Sequence, residues 1–205
     1  MEAFQNFESK AIPFPYVNVD TDQIIPKQFL KSTQKKGFGK YLFYNWRYNS
    51  TGEPRNDFVL NNPEYSGYQI LLTLDNFGSG SSREHAVWAL MDYGFKAIIS
   101  PSFADIFYSN CLKNGILPII LSKNEIEYLF DNPNCIIKID LNKQQIDLKP
   151  ASKQLKFHID KSKKKMLLEG LDEIGLTLKL EGDISDYENK SDRDFNMSIL
   201  KLIKN

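Results

Sequence analysis

The residues best equipped for chemistry in this chain are Gly78, Gly80, Ser81, Ser82, Arg83 and His85, all within the run Asn76 to Ala86 (NFGSGSSREHA). An alternating-to-apolar run, Tyr68 to Leu74, precedes them and reads as a strand. An apolar-periodic run, Ala86, Val87, Leu90 and Met91, comes after and reads as a helix. Glycines, hydroxyls and a guanidinium therefore fall where a strand gives way to a helix. The unpaired N–H groups and positive dipole end of a first helical turn favour an anion at such a place. Gly78 and Gly80 can take positive φ and admit a ligand close to the backbone. Arg83 adds a planar fork suited to a carboxylate or phosphate. The pattern predicts an anion site furnished with hydroxyls.

A plainer account covers part of the same run. Ser81-Ser82-Arg83-Glu84 spells a capping box, in which Ser81 caps the helix, Glu84 reaches back and Arg83 is solvated. That accounts for Ser81 and Glu84 but not for Gly78, Gly80, Ser82, Arg83 and His85 together. Three better-known motifs do not fit. A dinucleotide fingerprint needs glycine where Arg83 stands, a phosphate loop needs Gly-Lys-Ser/Thr, and a hydrolase elbow has no match around Ser79 or Ser81.

The elements that must hold this run can be read on either side of it. Lys96 to Ser100 is a short apolar strand, Phe103 to Leu112 a helix, and Gly115 to Leu121 a second apolar strand. Strand and helix alternating at this spacing predict a parallel α/β layer. Asn110 falls near the expected end of its helix, where it either helps order the site or caps the helix, and the cap is the preferred reading. Ser122 to Phe130 is a helix with an N-cap serine and Glu125 three residues on. Cys135 to Leu148 and Gln154 to Ile159 alternate as antiparallel strands, and Lys161 to Gly170 and Leu171 to about Glu188 read as helices. His158 lies in an alternating stretch and reads as a structural histidine. Upstream, residues 1–16 form an extended or strand-like opening. Asp20 and Asp22 flank Thr21, where one carboxylate commonly caps the next turn of chain. Lys27 to Lys31 reads as a short helix, Lys35 to Gly39 as a loop, and Phe58 to Leu60 as a short strand in a polar excursion over 49–67. Tyr41, Phe43, Tyr44, Trp46 and Tyr48 crowd eight residues, a density typical of core or interface.

Composition bounds the rest. The 205 residues suit one domain, divided as an N-terminal segment 1–67, a core with C-terminal helices 68–188 and a tail 189–205 that ends in the apolar Ile199 to Ile203. Twenty-six basic and 26 acidic residues cancel, which removes the electrostatic case for nucleic acid or an anionic membrane. The one basic run, Lys161 to Lys165, reads as a solvated surface. Cys111 and Cys135 have no paired spacing and no secretory leader ahead of them, which predicts a reducing, cytoplasmic setting. Two cysteines are also too few for an iron–sulfur cluster, which takes three or four. A reaction needing a cluster would have to receive it from another chain. No apolar run approaches the roughly 20 residues of a membrane span.

With Trp88-Ala89-Leu90 and Tyr93-Gly94-Phe95 after it, the run Asn76 to Ala86 resembles the serine–arginine motif of the aconitase superfamily's swivelling domain. It is most similar to the small-subunit family of bacterial 3-isopropylmalate dehydratases. Val19 to Leu30 (VDTDQIIPKQFL) fits that family's opening signature, and Gly37-Phe38-Gly39, Asn45-Trp46-Arg47, Pro101 to Phe107 and Gly170 to Leu178 succeed it in the family's order. The resemblance spans roughly residues 15 to 190 and implies a β/β/α swivelling domain with a mostly parallel central layer, antiparallel strands and flanking helices. It implies a hydro-lyase of leucine biosynthesis that isomerises 2- and 3-isopropylmalate by dehydration and rehydration. The corresponding [4Fe–4S] cluster would be carried by a large-subunit partner, with no metal on this chain. By the same resemblance Ser81 is the base, Ser82 a hydrogen-bond donor and Arg83 a carboxylate clamp. Asp22 is the acidic residue of the site, and Gly78, Gly80, His85, Phe38 and Lys31 contact substrate. The 37–48 loop would carry selectivity, its aromatics lining an alkyl pocket. No arginine occurs there before Arg47, which favours an alkyl group over a third carboxylate. A sister enzyme for citraconate or citramalate, dimethylmalate or homoaconitate, or an anion-binding module without catalysis, shares most of these features.

Overall fold

Two four-stranded sheets and a layer of helices stack on one another in the computed structural model, which describes residues 1–30 and 36–190. Strand β1 (Phe7–Ser9) joins β6 (Ile136–Asp140), β7 (Gln145–Lys149) and β8 (Lys153–Lys156) in an antiparallel sheet of order β1-β6-β7-β8. Strands β2 (Ala11–Phe14), β3 (Ile70–Thr73), β4 (Ala97–Ser100) and β5 (Leu117–Ile120) form the parallel sheet in that order. β6 and β7 alternate buried and exposed residues, whereas β3 and β4 are buried on both faces. The parallel strands are therefore the middle layer. One of their faces packs Ile70, Leu72, Ile99 and Ile119 against Ile137, Ile139, Ile146 and Leu148 of the antiparallel sheet. The other packs Phe14, Leu71 and Ile98 against Ala86, Val87, Leu90, Phe107 and Cys111. This is the β/β/α layering that the family resemblance implies.

The helices are α1 (Thr21–Ile24), α2 (Tyr44–Arg47), α3 (Glu84–Tyr93), α4 (Asp105–Asn114), α5 (Lys123–Asp131), α6 (Lys161–Glu169) and α7 (Glu173–Lys179), with a further helical stretch over 181–190. α3 and α4 are the crossovers β3-α3-β4 and β4-α4-β5, so the segments leaving β2, β3 and β4 all gather at the carboxyl edge of the parallel sheet. In open sheets of this kind ligands bind there. The expected capping box of α5 is present, with Ser122 accepting from the Glu125 N–H and Glu125 from the Ser122 N–H.

Several local expectations are corrected. Phe58 to Leu60 is no strand: residues Val59–Asn61 make a 3₁₀ turn, and Asn62 caps a second one that Pro63 begins. Three apolar residues cannot distinguish the two, and the Asn-Asn-Pro behind them decides for turns. The short helix read from Lys27 onward is present as a 3₁₀ turn over Lys27–Phe29. α4 runs on to Asn114 and ends at Gly115, whose φ of +99° supplies the left-handed cap, so Asn110 caps nothing and sits mid-helix. His158 is exposed beyond the end of β8 rather than within a strand. The helix expected over 171–188 is broken by a turn at Leu180. Lys31, Lys35 and the apolar stretch Ile199 to Ile203 lie outside the described residues.

Candidate active site

The loop between β3 and α3 is held like a strand between two neighbours. On one side Gly78 and Ser79 donate their N–H groups to Val19 O (2.8 and 3.1 Å), and Thr21 N donates to Ser79 O (2.9 Å). On the other side Phe77 N donates to Ser102 O (3.2 Å) and Ala104 N to Phe77 O (3.1 Å). The wholly buried Phe77 ring, edge-on to Phe14 and Phe107, anchors the loop from below. Glycine at 78 is required twice over. Its φ is +79°, and a Cβ there would lie 2.1 Å from Cγ of Phe107.

Past Gly80, also at positive φ, the chain turns out to solvent and presents Ser81 and Ser82, both exposed. Thr21 Oγ1 donates to Ser81 O (2.8 Å) and fixes that turn. α3 begins only at Glu84, with the extended Arg83 as N-cap and no side-chain cap. The capping box read from Ser81 and Glu84 is therefore not made. Glu84 Oε1 instead accepts from Asn114 Nδ2 (2.8 Å). The serines stand ahead of the first helical turn, on the loop and not on the helix itself.

Arg83 folds back toward α1. Its Nη1 donates to Asp22 Oδ1 (2.5 Å) and to Ile25 O (3.4 Å), and its side chain is 19% exposed. The two aspartates of the Asp-Thr-Asp segment have separate duties. Asp20 caps α1 and forms a capping box with Gln23, whereas Asp22 pairs with Arg83 and accepts from Lys27 N (3.1 Å). The hydrogen bond from Arg83 holds the Asp22 carboxyl below the usual aspartate range.

Gly78, Gly80, Ser81, Ser82 and Arg83 line one side of a cavity of about 240 Å³, and Ile106, Phe107 and Asn110 of α4 line the other. The cavity is open to solvent on the serine side and smaller than a drug-sized pocket. One wall offers hydroxyls and a cation; the other sets the apolar Ala104, Ile106 and Phe107 beside the polar Asp105 and Asn110. Asp22 adjoins this cavity through Arg83. The structure does not bring His85 or Phe38 to it. The His85 ring packs between Phe38 (5.3 Å, perpendicular) and Trp88 (4.5 Å), and the buried Phe38 borders a separate groove with Phe29 and Tyr41. Of the aromatic loop, Phe43 lies tilted against Phe14 in the helix-side core, and Trp46 stacks on both from the core's edge. Arg47 bonds Asn61 Oδ1 and Gly39 O and lies over the Tyr48 and Tyr93 rings, away from the cavity. Ile106 was missed as a lining residue, and Asn110, for which a cap was preferred over a part in the site, lines the cavity as well. Their i, i+4 spacing on α4 puts them on one face, a signal usable only once β4 is known to neighbour β3.

Among the described residues no three His, Cys, Asp or Glu side chains gather as a metal site. Cys111 is buried in the helix-side core, where burial pushes its thiol well up, and Cys135 is buried elsewhere. Neither thiol faces the cavity, so these residues do not fit an iron–sulfur cluster. No helix among the described residues is long and apolar enough to cross a membrane.

The family model of the aconitase C-terminal domain matches residues 1–124, which include the whole of the loop and most of α4's layer. Curated relatives extend the match to nearly the full length. The 3-isopropylmalate dehydratase small subunit of Phenylobacterium zucineum is 49% identical over 193 residues, covering 93% of this chain and 95% of its own. That of Azorhizobium caulinodans is 51% identical over 194 residues, covering 93% and 96%. A crystal structure of 3-isopropylmalate dehydratase from Methanocaldococcus jannaschii superposes with a TM-score of 0.66 at 29% identity, over 89% of this chain and 99% of that one. The chain belongs to the aconitase C-terminal domain family and, within it, to the 3-isopropylmalate dehydratase small subunits.

Proposed function

We propose that this chain is the small subunit of 3-isopropylmalate dehydratase and contributes one wall of an active site completed by a large subunit. In leucine biosynthesis that enzyme interconverts 2- and 3-isopropylmalate through dehydration and rehydration. The observation that carries the reading is the Ser81-Ser82-Arg83 run on the rim of a small cavity, in a chain half identical to subunits of that name.

The reaction removes a proton from a carbon beside a carboxylate and a hydroxyl from the neighbouring carbon. In this reading Ser81 is the base that takes the proton. A neutral serine is a weak base, so the alkoxide needs a nearby cation, and Arg83 is two residues away on the same wall. Arg83 also clamps a substrate carboxylate, its fork kept aimed by Asp22. Ser82 donates a hydrogen bond to the carboxylate or the developing oxyanion. Ile106 and Phe107 offer the apolar surface an isopropyl group needs. Lewis-acid help for the departing hydroxyl would come from a [4Fe–4S] cluster in the large subunit. The setting is cytoplasmic.

The test is a substrate panel on the complex with a 3-isopropylmalate dehydratase large subunit. The expected result is the highest kcat/KM for the isopropylmalates. A preference for citramalate or dimethylmalate would reassign the chain to a sister hydro-lyase.

A further inference from the structure

Asn114, in the last turn of α4, is a polar side chain only 4% exposed, and it does not itself line the cavity. Its Oδ1 accepts from Trp88 Nε1 (3.0 Å), and its Nδ2 donates to Glu84 Oε1 (2.8 Å) and Asn110 O (2.9 Å). Glu84 and Trp88 are one turn apart on α3, so a single amide grips two successive turns of the neighbouring helix. Burial of an amide is unfavourable unless its bonds are made, and leucine would fill similar space without that demand. What an amide adds is register. Sliding α3 by one residue would carry both partners off the face that meets Asn114. α3 begins directly after Ser82 and Arg83, while α4 carries Ile106 and Asn110, so the two walls of the cavity hang on the two helices that Asn114 ties.

We propose that Asn114, with Glu84 and Trp88, is a positioning device that sets the separation of the Ser82–Arg83 wall from the Ile106–Asn110 wall. The inference rests on reading that cavity as the substrate site. Asn114→Leu removes all three bonds at similar volume. In the reconstituted complex, kcat per assembled subunit should fall about 10–100-fold, the scale of a small misplacement of reacting groups. Glu84→Leu should shift in the same direction, while Glu84→Gln, which keeps the acceptor, should stay within threefold of wild type. A generally weakened fold would instead penalise Gln and Leu alike and lower only the active fraction. Amide hydrogen exchange on the isolated chain gives a readout independent of turnover. Asn114→Leu should speed exchange at both 82–86 and 106–110, and Glu84→Gln should not. If Asn114→Leu does not fold, the Glu84 pair decides. Folded Leu variants with turnover within twofold of wild type, or exchange unchanged at both segments, would overturn the proposal. A wild-type complex without dehydratase activity would instead count against the functional reading, leaving the exchange result to judge the tie.

Discussion

Arg83 both lines the cavity and pairs with Asp22, and its variants should separate the two duties. Arg83→Lys keeps a charge but loses the planar fork, so KM should rise about 10–100-fold in the complex while the melting temperature hardly moves. The structural half of the duty is small because Asp22 is half exposed, and exposed pairs contribute at most about 1 kcal/mol. Its pH dependence comes from the lowered Asp22 carboxyl. The pair's contribution is present above the ordinary aspartate value of about 3.9 and is lost as pH falls through the lower folded value. Urea titrations of wild type and Asp22→Asn should therefore differ slightly at pH 6 and converge in strong acid. A gap that widened on acidification would remove Arg83 as Asp22's partner. Ser81→Ala is sharper now that Ser81 is known to lie ahead of α3 rather than to cap it. Stability should stay within about 0.5 kcal/mol, while kcat should drop about 10²–10⁴-fold. A clear stability loss with turnover kept would restore the cap.

Between elements, the close fit of the loop against α4 rests on Gly78. Gly78→Ala must hold a left-handed φ and also displace the Phe107 ring, so it should cost about 2–4 kcal/mol in chemical denaturation. A cost below about 0.5 kcal/mol would mean that loop and helix are not packed this way. The parallel layer, α5 with its serine cap and the β6–β7–β8 meander were legible because period and cap chemistry act locally. What the sequence could not show arises from contacts distant along the chain. Glu84 has the spacing of a capping box, but Asn114, thirty residues on, takes its carboxylate. Asn110 lies near an expected helix end, yet Gly115 a turn or so later is the better stop. The hydroxyl–arginine run was visible at once. Its partner wall on α4 was not, since helix spacing alone does not say which strand a helix lies beside.

Across the whole molecule, the antiparallel sheet backs the parallel one, leaving the carboxyl edge of β2, β3 and β4 to carry the site. That edge holds a guanidinium, a paired carboxylate and two serine hydroxyls, and the described residues offer no ligand set for a cluster. In the proposed reading this edge binds and orients the diacid, and help for the departing hydroxyl comes from the large subunit. The direct measurement is isopropylmalate turnover by the purified chain alone, by a large subunit carrying a [4Fe–4S] cluster alone, and by their mixture. The account predicts no turnover from either chain separately. Activity should appear on mixing, decay in air, and be lost when the Ser81→Ala chain forms the same complex. Robust turnover by the isolated chain after chelation of iron, or a fully active Ser81→Ala complex, would contradict it.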